Sequence, residues 1–258
     1  MNSSKEPIFV IGYPKSGNTW LTRIIADLTD SPILASNSAV DQADKKEVYT
    51  GEFVIKKQHY SKHSKPIYIT TSNKIFYVIR DFRDVLISGF FYNNRLVKEN
   101  WVKLDSRDRY LFLRLYFKHQ IKRMIKSWVG NELTHFWRFL KGRKTQVMNW
   151  SDHVNYWSSF PNAVVVRYED MLSDCKQTIK VSLKKVGIEY NGGNFDQVIE
   201  RQSFHHRKLQ FELEKNEDNI RFLRKGMSGD WKHFLDEELL LLINREHGET
   251  MKRFGYDI

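Results

Sequence analysis

The stretch Phe9–Leu21, "FVIGYPKSGNTWL", begins like a buried strand, passes through a glycine-bearing turn and ends like the start of a helix. That order aims backbone N–H groups and the positive end of a helix dipole at one point, which is how many proteins hold phosphate. The nucleotide-binding pattern of this kind is Gly, four residues, Gly, Lys, then Ser or Thr. Gly12, Gly17 and Thr19 are correctly spaced, but Asn18 takes the lysine position and the nearest lysine is Lys15. An NTPase lysine reaches the β/γ phosphates beside Mg²⁺, a charge that Asn18 cannot supply. Lys15 stands on the other side of the loop, where it would reach a group leaving a 5′-phosphate. Backbone N–H groups from Lys15 to Thr19 would face that phosphate, with Gly17 permitting close approach.

Further runs alternate between two grammars. "EFVIKK" (52–57), "KIFYVI" (74–79) and "NAVVVRYED" (162–170) read as strands, the last ending in polar residues. Residues 18–29, 82–95, 107–128, 173–187 and 236–248 read as helices from apolar spacing; Ser173 is the expected N-cap of the fourth, with Gly187 just past its end, and Asp236 and Gly248 repeat that pattern. Short buried strands alternating with helices predict an α/β fold, a P-loop-like central parallel sheet flanked by helices. No repeat, low-complexity tract or Pro/Gly linker interrupts the chain, so a single domain over 1–258 is expected. Ligands in such sheets bind at the carboxyl ends of strands, here after Ile11, Lys56, Ile79 and Arg167.

The 258 residues, 41% of them hydrophobic, suffice for a substantial core. No 18-residue apolar stretch predicts a membrane span, and the N-terminus does not read as a secretory signal. The one cysteine, Cys175, cannot form an internal disulfide, which fits a reducing, cytoplasmic setting. A net charge of +11 suits a solvated basic surface, a nucleic acid, an anionic membrane or a highly charged small ligand. The basic residues are dispersed without a dense tract, so no nucleic-acid partner is expected.

Two more stretches bear on an anion. In "YVIRDFRDVLISGFF" (77–91) a strand ends at Arg80 and a helix carries Ser88; taken alone, Arg80 also reads as an ion pair with Asp81 or Asp84. In "FLRKGMSGDWKHF" (222–234), Arg224 and Lys225 precede two glycines, a basic pair in a flexible loop.

Together these stretches resemble the cytosolic sulfotransferase family, whose members use 3′-phosphoadenosine-5′-phosphosulfate (PAPS) and release 3′-phosphoadenosine-5′-phosphate (PAP). "YPKSGNTW" (13–20) is similar to the family's 5′-phosphosulfate loop, departing at Asn18, where Thr is usual. "RDFRDVLIS" (80–88) resembles its 3′-phosphate motif and "RKGMSGDWK" (224–232) its C-terminal loop; "WSDHVNYW" (150–157) and "VVVRYEDM" (164–171) match as well. The resemblance implies that Lys15, Ser16, Gly17, Asn18 and Thr19 cradle the 5′ end. It implies that Trp20 and Phe204 stack on adenine, with Tyr168 at its edge. Arg80, Ser88, Arg224, Lys225 and Gly226 would hold the 3′-phosphate. Gln202 stands where the family commonly has Thr.

"VIKKQHY" (54–60) resembles the family's Lys-Thr-His segment, with Gln58 for Thr, which makes His59 the general base and Lys57 its helper. The chemistry agrees: an acceptor hydroxyl must lose its proton as it attacks sulfur, and neutral imidazole suits that task. Lys15 and Lys57 would balance charge on the sulfuryl and bridging oxygens. His59 and His63 have metal-like spacing, but no Cys or carboxylate completes a set, so no metal is expected. His153 reads as packing. The implied enzyme is a PAPS-dependent sulfotransferase acting on a small-molecule hydroxyl or amine. The alternative is a P-loop kinase-like phosphotransferase, with "VVVRYED" as an acidic metal-binding strand end. The polar segment 34–50 and the aromatic face of 130–144 are candidates for the acceptor side.

Overall fold

The computed structural model describes residues 5–34, 48–59, 69–93, 117–126, 149–190, 195–215 and 223–258. Five strands form one sheet: β1 (Glu6–Gly12), β2 (Ile33–Leu34), β3 (Phe53–Gln58), β4 (Lys74–Ile79) and β5 (Ala163–Arg167). Their order is β2-β3-β1-β4-β5 and every pairing is parallel. Ile8 to Ile11 are fully buried, as a central parallel strand covered on both faces must be. β1 lies between β3 and β4, so the strand order reverses around it. The carboxyl ends of β1, β3 and β4 therefore come together, at the place where such sheets bind ligands.

The chain divides into two compact units, Met1–Arg80 with Tyr156–Met227 and Asp81–Asn155 with Ser228–Ile258. The first holds the sheet with helices α1 (Asn18–Leu28), α5 (Tyr168–Ser173), α6 (Cys175–Lys185), α7 (Phe195–Arg201) and α8 (Phe204–Leu213); α4 (Trp150–Ser158) precedes β5. The apolar stripe of α1, Leu21, Ile24, Ile25 and Leu28, packs into one core with Ile8, Val10, Ile55, Phe76 and Val78 of the sheet and Ile179 and Leu183 of α6. Truncating Ile24 to alanine there would cost about 2–5 kcal/mol.

The second unit contains α2 (Phe82–Asn93), α3 (Lys118–Lys126), a 3₁₀ turn (Asp230–His233) and α9 (Glu237–Arg253). Its hub is His247 on α9. The ring contacts Phe82 edge-on at 4.3 Å, its Nε2 lies 2.8 Å from the Ile125 carbonyl and its Nδ1 lies 2.7 Å from Ser151 Oγ. Burial holds its pKa below the ordinary 6.5. Lys118 binds Asp236 at 2.8 Å and also Glu238, and hydrogen bonds from Lys118 and Lys122 pull the Glu238 pKa down to about 2. No helix among the described residues is long and apolar enough to cross a membrane.

Three local expectations change. The strand expected over 162–170 stops at Arg167, and Tyr168 opens α5 with Glu169 and Asp170 in its first turn, where acidic side chains suit the helix dipole. Ser173 ends α5; the N-cap of α6 is Asp174, whose side chain accepts from the Gln177 N–H at 2.9 Å. The last helix does start after Asp236, which accepts from the Leu239 N–H at 3.0 Å, but it runs through Gly248 to Arg253. Gly255, in the left-handed region at φ 73°, follows its end. The expected helix over 107–128 is seen as Lys118–Lys126, and its residues 107–116 and 127–128, with 94–95, 130–144 and most of 34–50, lie outside the described residues.

Candidate active site

β1 ends at Gly12, where a Cβ would fall 2.7 Å from the Val78 carbonyl of β4; the neighbouring strand leaves no room for a side chain. The chain then turns within a few residues into α1 through two left-handed conformations, Lys15 at φ 69° and Gly17 at φ 102°. The first is uncommon for a residue with a side chain and costs about 1 kcal/mol or more. Gly17 is the N-cap of α1 and makes no side-chain cap hydrogen bond to its first turn. A Cβ at Gly17 would lie 2.6 Å from the Tyr168 ring. The turn thus presents an uncapped helix N-terminus, the arrangement expected of an anion cradle. Ser16 donates its N–H to the Tyr13 carbonyl at 3.2 Å, which leaves its hydroxyl as its contribution. That hydroxyl is fully buried with no hydrogen-bond partner among the described residues.

Two side chains from the end of β3 attach to this loop. Lys57 is 8% exposed, and its Nζ donates to Thr19 Oγ1 at 3.1 Å. His59, just past the strand, is exposed, and its Nδ1 lies 2.7 Å from the Gly12 carbonyl. Asn18 is 3% exposed, and its Nδ2 lies 3.0 Å from both the Gly12 carbonyl and His59 Nδ1. The parallel register explains the meeting, because Gln58 pairs with Ile11 and so brings the ends of β1 and β3 side by side.

From the end of β4, Arg80 reaches over the same loop. Its Nη1 donates to the Lys15 carbonyl at 3.2 Å and its Nη2 to the Met227 carbonyl at 2.9 Å, while the guanidinium lies 4.2 Å from the centre of the Tyr168 ring. Its Nε is buried without a partner among the described residues. Tyr168 touches Trp20 edge-on, with centroids 5.8 Å apart. Gly226, at φ 63°, packs so closely on Phe204 that a Cβ would collide with the ring. The candidate residues Lys15, Ser16, Gly17, Asn18, Thr19, Trp20, Lys57, His59, Arg80 and Tyr168 are therefore linked by direct contacts, and Phe204 and Gly226 form a pair adjoining Met227. Arg224 is half-buried and Lys225 exposed. Ser88 is half-buried on α2 in the second unit. Gln202 is 2% exposed and its amide donates to Asp27 of α1 at 2.7 Å.

Some roles had no sequence signal. Asp84, beside the arginine motif, accepts from the Gly229 N–H at 2.7 Å, the Trp231 N–H at 3.1 Å and Ser228 Oγ at 3.1 Å, so it clasps the loop that follows Met227. Asp81 pairs with Arg83 at 2.6 Å. His153 is 2% exposed and Trp150 and Trp157 fully buried, which accords with packing. His63 lies outside the described residues, and among those described no group of three or more His, Cys, Asp or Glu is placed to hold a metal.

The model of the sulfotransferase domain family matches residues 5–255. This chain belongs to the sulfotransferase family. Among similar sulfotransferases, 2A6 of Mus musculus is 29% identical over 260 residues, covering 89% of this chain and 79% of that protein. The amine sulfotransferase of Oryctolagus cuniculus is 26% identical over 277 residues, covering 96% and 82%. Of solved structures, mouse sulfotransferase SULT7A1 complexed with PAP superposes with a TM-score of 0.63 at 21% identity, covering 98% of this chain and 87% of that one. Retinol dehydratase in complex with androsterone and inactive cofactor PAP gives 0.58 at 17% identity, covering 98% and 82%. These likenesses agree with the α/β sheet described above.

Proposed function

We propose that this sulfotransferase, acting as one domain over residues 1–258, moves the sulfuryl group of PAPS to a hydroxyl or amine of a small-molecule acceptor and releases PAP. PAPS supplies the sulfuryl group on a 5′-phosphate leaving group. Ser16, Gly17, Asn18 and Thr19 hold its 5′ end with backbone N–H groups and hydroxyls at the start of α1. Lys15 and Lys57 offset the negative charge that builds on the bridging and sulfuryl oxygens. His59 takes the proton of the attacking acceptor. Trp20, Tyr168 and Phe204 bind adenine, and Arg80, Ser88, Arg224, Lys225 and Gly226 the 3′-phosphate. The setting is cytoplasmic, the partner is a small molecule and not a nucleic acid, and no metal takes part.

One observation carries this proposal: the two candidate catalytic side chains at the end of β3 and just past it are fastened to the candidate phosphate loop, Lys57 through Thr19 at 3.1 Å and His59 through Gly12 at 2.7 Å. A buried ammonium beside a helix N-terminus concentrates positive charge where a phosphosulfate would lie. The buried Ser16 hydroxyl and Arg80 Nε fit such a ligand, because buried donors are otherwise nearly always satisfied.

The test is transfer of label from [³⁵S]PAPS to phenols, alcohols, amines and sugars in excess EDTA. Labelled product is expected. His59→Ala should lose turnover by about 10²–10⁴-fold while PAP still raises its melting temperature. Near-normal turnover of that variant would remove His59 as the base. A strict Mg²⁺ requirement with phosphate transfer from ATP would overturn the whole assignment.

A further inference from the structure

Asp84 has no task in the reaction as proposed, yet it is 1% exposed and takes three hydrogen bonds, from the Gly229 N–H at 2.7 Å, Ser228 Oγ at 3.1 Å and the Trp231 N–H at 3.1 Å. We propose that Asp84 is a positioning residue for the 3′-phosphate. By capping the turn at 229–231 it fixes the end of the segment that carries Arg224, Lys225 and Gly226, and so sets the preference for PAP over nucleotides that lack that phosphate. This rests on the 3′-phosphate ligands proposed above.

Donors and acceptors match throughout. An ionised carboxylate only accepts, the two N–H groups only donate, and the hydroxyl has a proton to give. A buried carboxylate is tolerated where its oxygens are used in this way. Asp84 also lies in the first turn of α2, where the helix dipole favours it. The loop, for its part, needs an acceptor from outside. Gly229 precedes the 3₁₀ turn in the left-handed region at φ 83° and gives it no side-chain cap. Only glycine takes that conformation at no steric cost, and glycine has no side chain to cap with. The acceptor therefore comes from α2. Neighbouring residues hold the turn a second time: Asp81 fixes Arg83 at 2.6 Å, and the Arg83 guanidinium lies 4.0 Å from the centre of the Trp231 ring. Upstream, the Met227 carbonyl is taken by Arg80 at 2.9 Å. Ser88, a proposed phosphate ligand, stands one turn after Asp84 on the same face of α2. Gly226 and Gly229 are both left-handed, so the stretch between them is costly to order. Holding it in place before the nucleotide arrives removes part of that cost from binding.

Asp84→Asn keeps the shape but turns one oxygen into an NH₂ group, so at least one loop donor is left facing a donor. By calorimetry this variant should bind PAP about tenfold or more weakly than the parent, as expected for lost hydrogen bonds to a charged group, while AMP binding stays within about twofold. The KM for PAPS should rise in step with little change in kcat, because the reacting end is untouched. Ser228→Ala removes one of the three donors at an exposed position, where folding is not at stake, and should lose about threefold in PAP affinity. In an Arg224→Ala, Lys225→Ala background, Asp84→Asn should cost little more, because its effect passes through those side chains. A further tenfold loss there would overturn the proposal. So would an Asp84→Asn that loses PAP and AMP in parallel, since that is what general loosening of the fold would do. A parent that binds PAP no better than AMP removes the 3′-phosphate site, and this proposal with it. A parent that prefers PAP, beside Asp84→Asn and Ser228→Ala that keep the full preference, sinks this proposal alone.

Discussion

Arg80→Ala tests whether the loop after β1 is tied down from the end of β4. Arg80 is 7% exposed and gives two hydrogen bonds from a charged group, at 3.2 and 2.9 Å, besides lying 4.2 Å from the Tyr168 ring centre. Charged hydrogen bonds contribute about 1.5–3 kcal/mol each, and a desolvated cation over an aromatic face about 2 kcal/mol. Water entering the truncated site and the regained hydration of the loop offset part of this. We therefore expect a net loss of about 3–5 kcal/mol, large but within the range for deleting a buried polar hub. For a chain of this size each kcal/mol moves the melting temperature by about 2–4 °C, so a drop of roughly 6–20 °C follows. Calorimetry on the parent, Arg80→Ala and Arg80→Lys measures it, each alone, with PAP and with AMP. The lysine variant should fall between the others, since it keeps the charge and loses the planar fork. The parent should be stabilised more by PAP than by AMP, and Arg80→Ala should lose most of that difference. A melting temperature within about 2 °C of the parent, with the preference for PAP intact, would refute the reasoning.

Lys15→Ala should depress kcat by about 10²-fold or more, because the leaving 5′-phosphate loses its countercharge; a stopped assay with labelled PAPS decides it. Gly17→Ala forces a side chain to φ 102° and to 2.6 Å from Tyr168, so about 1–3 kcal/mol of strain should appear as a lower urea midpoint and weaker PAP binding. His247 has a folded pKa below 6.5 because of burial. As pH falls below 6.5 the unfolded chain takes up the proton first, so stability is full above that pH and declines beneath it. His247→Gln should flatten this decline in urea melts recorded down the pH scale, and an unchanged slope would remove His247 as its source.

Strand and helix positions were legible where one signal dominated. "KIFYVI" is bounded by polar residues and became β4 to the residue. The failures share a cause, two admissible punctuation marks close together. Ser173 and Asp174 can both cap a helix, and the choice fell to Asp174 only because α5 uses Ser173 in its last turn. Gly248 looked like a stop, but Thr250 and Met251 beyond it are buried, and their packing carries α9 through the glycine. β2, two residues long, has no pattern to detect. At the site, the loop and its lysine were readable because they are contiguous. The Asn18–Gly12–His59 triangle was not, since it joins residues 41 and 47 apart that meet only through the β1–β3 register. Asp84 was hidden for the same reason, its three donors lying 144 to 147 residues downstream.

The pairing of β4 with β5 has a consequence for synthesis on the ribosome. Ile79 leaves the ribosome with β1 and β3 already made, but its neighbour in the sheet begins at Ala163, after the whole excursion of residues 81–155. At about 5–20 residues per second, some eighty residues of delay leave the apolar edge of β4 without its partner strand for roughly 4–16 s. Arg80 waits longer still, because the carbonyl it grips belongs to Met227. A nascent chain therefore carries the loop between β1 and α1 from the first seconds and lacks one of the two carbonyls that Arg80 clasps until the final stretch has emerged. That interval is when a chaperone has most to protect.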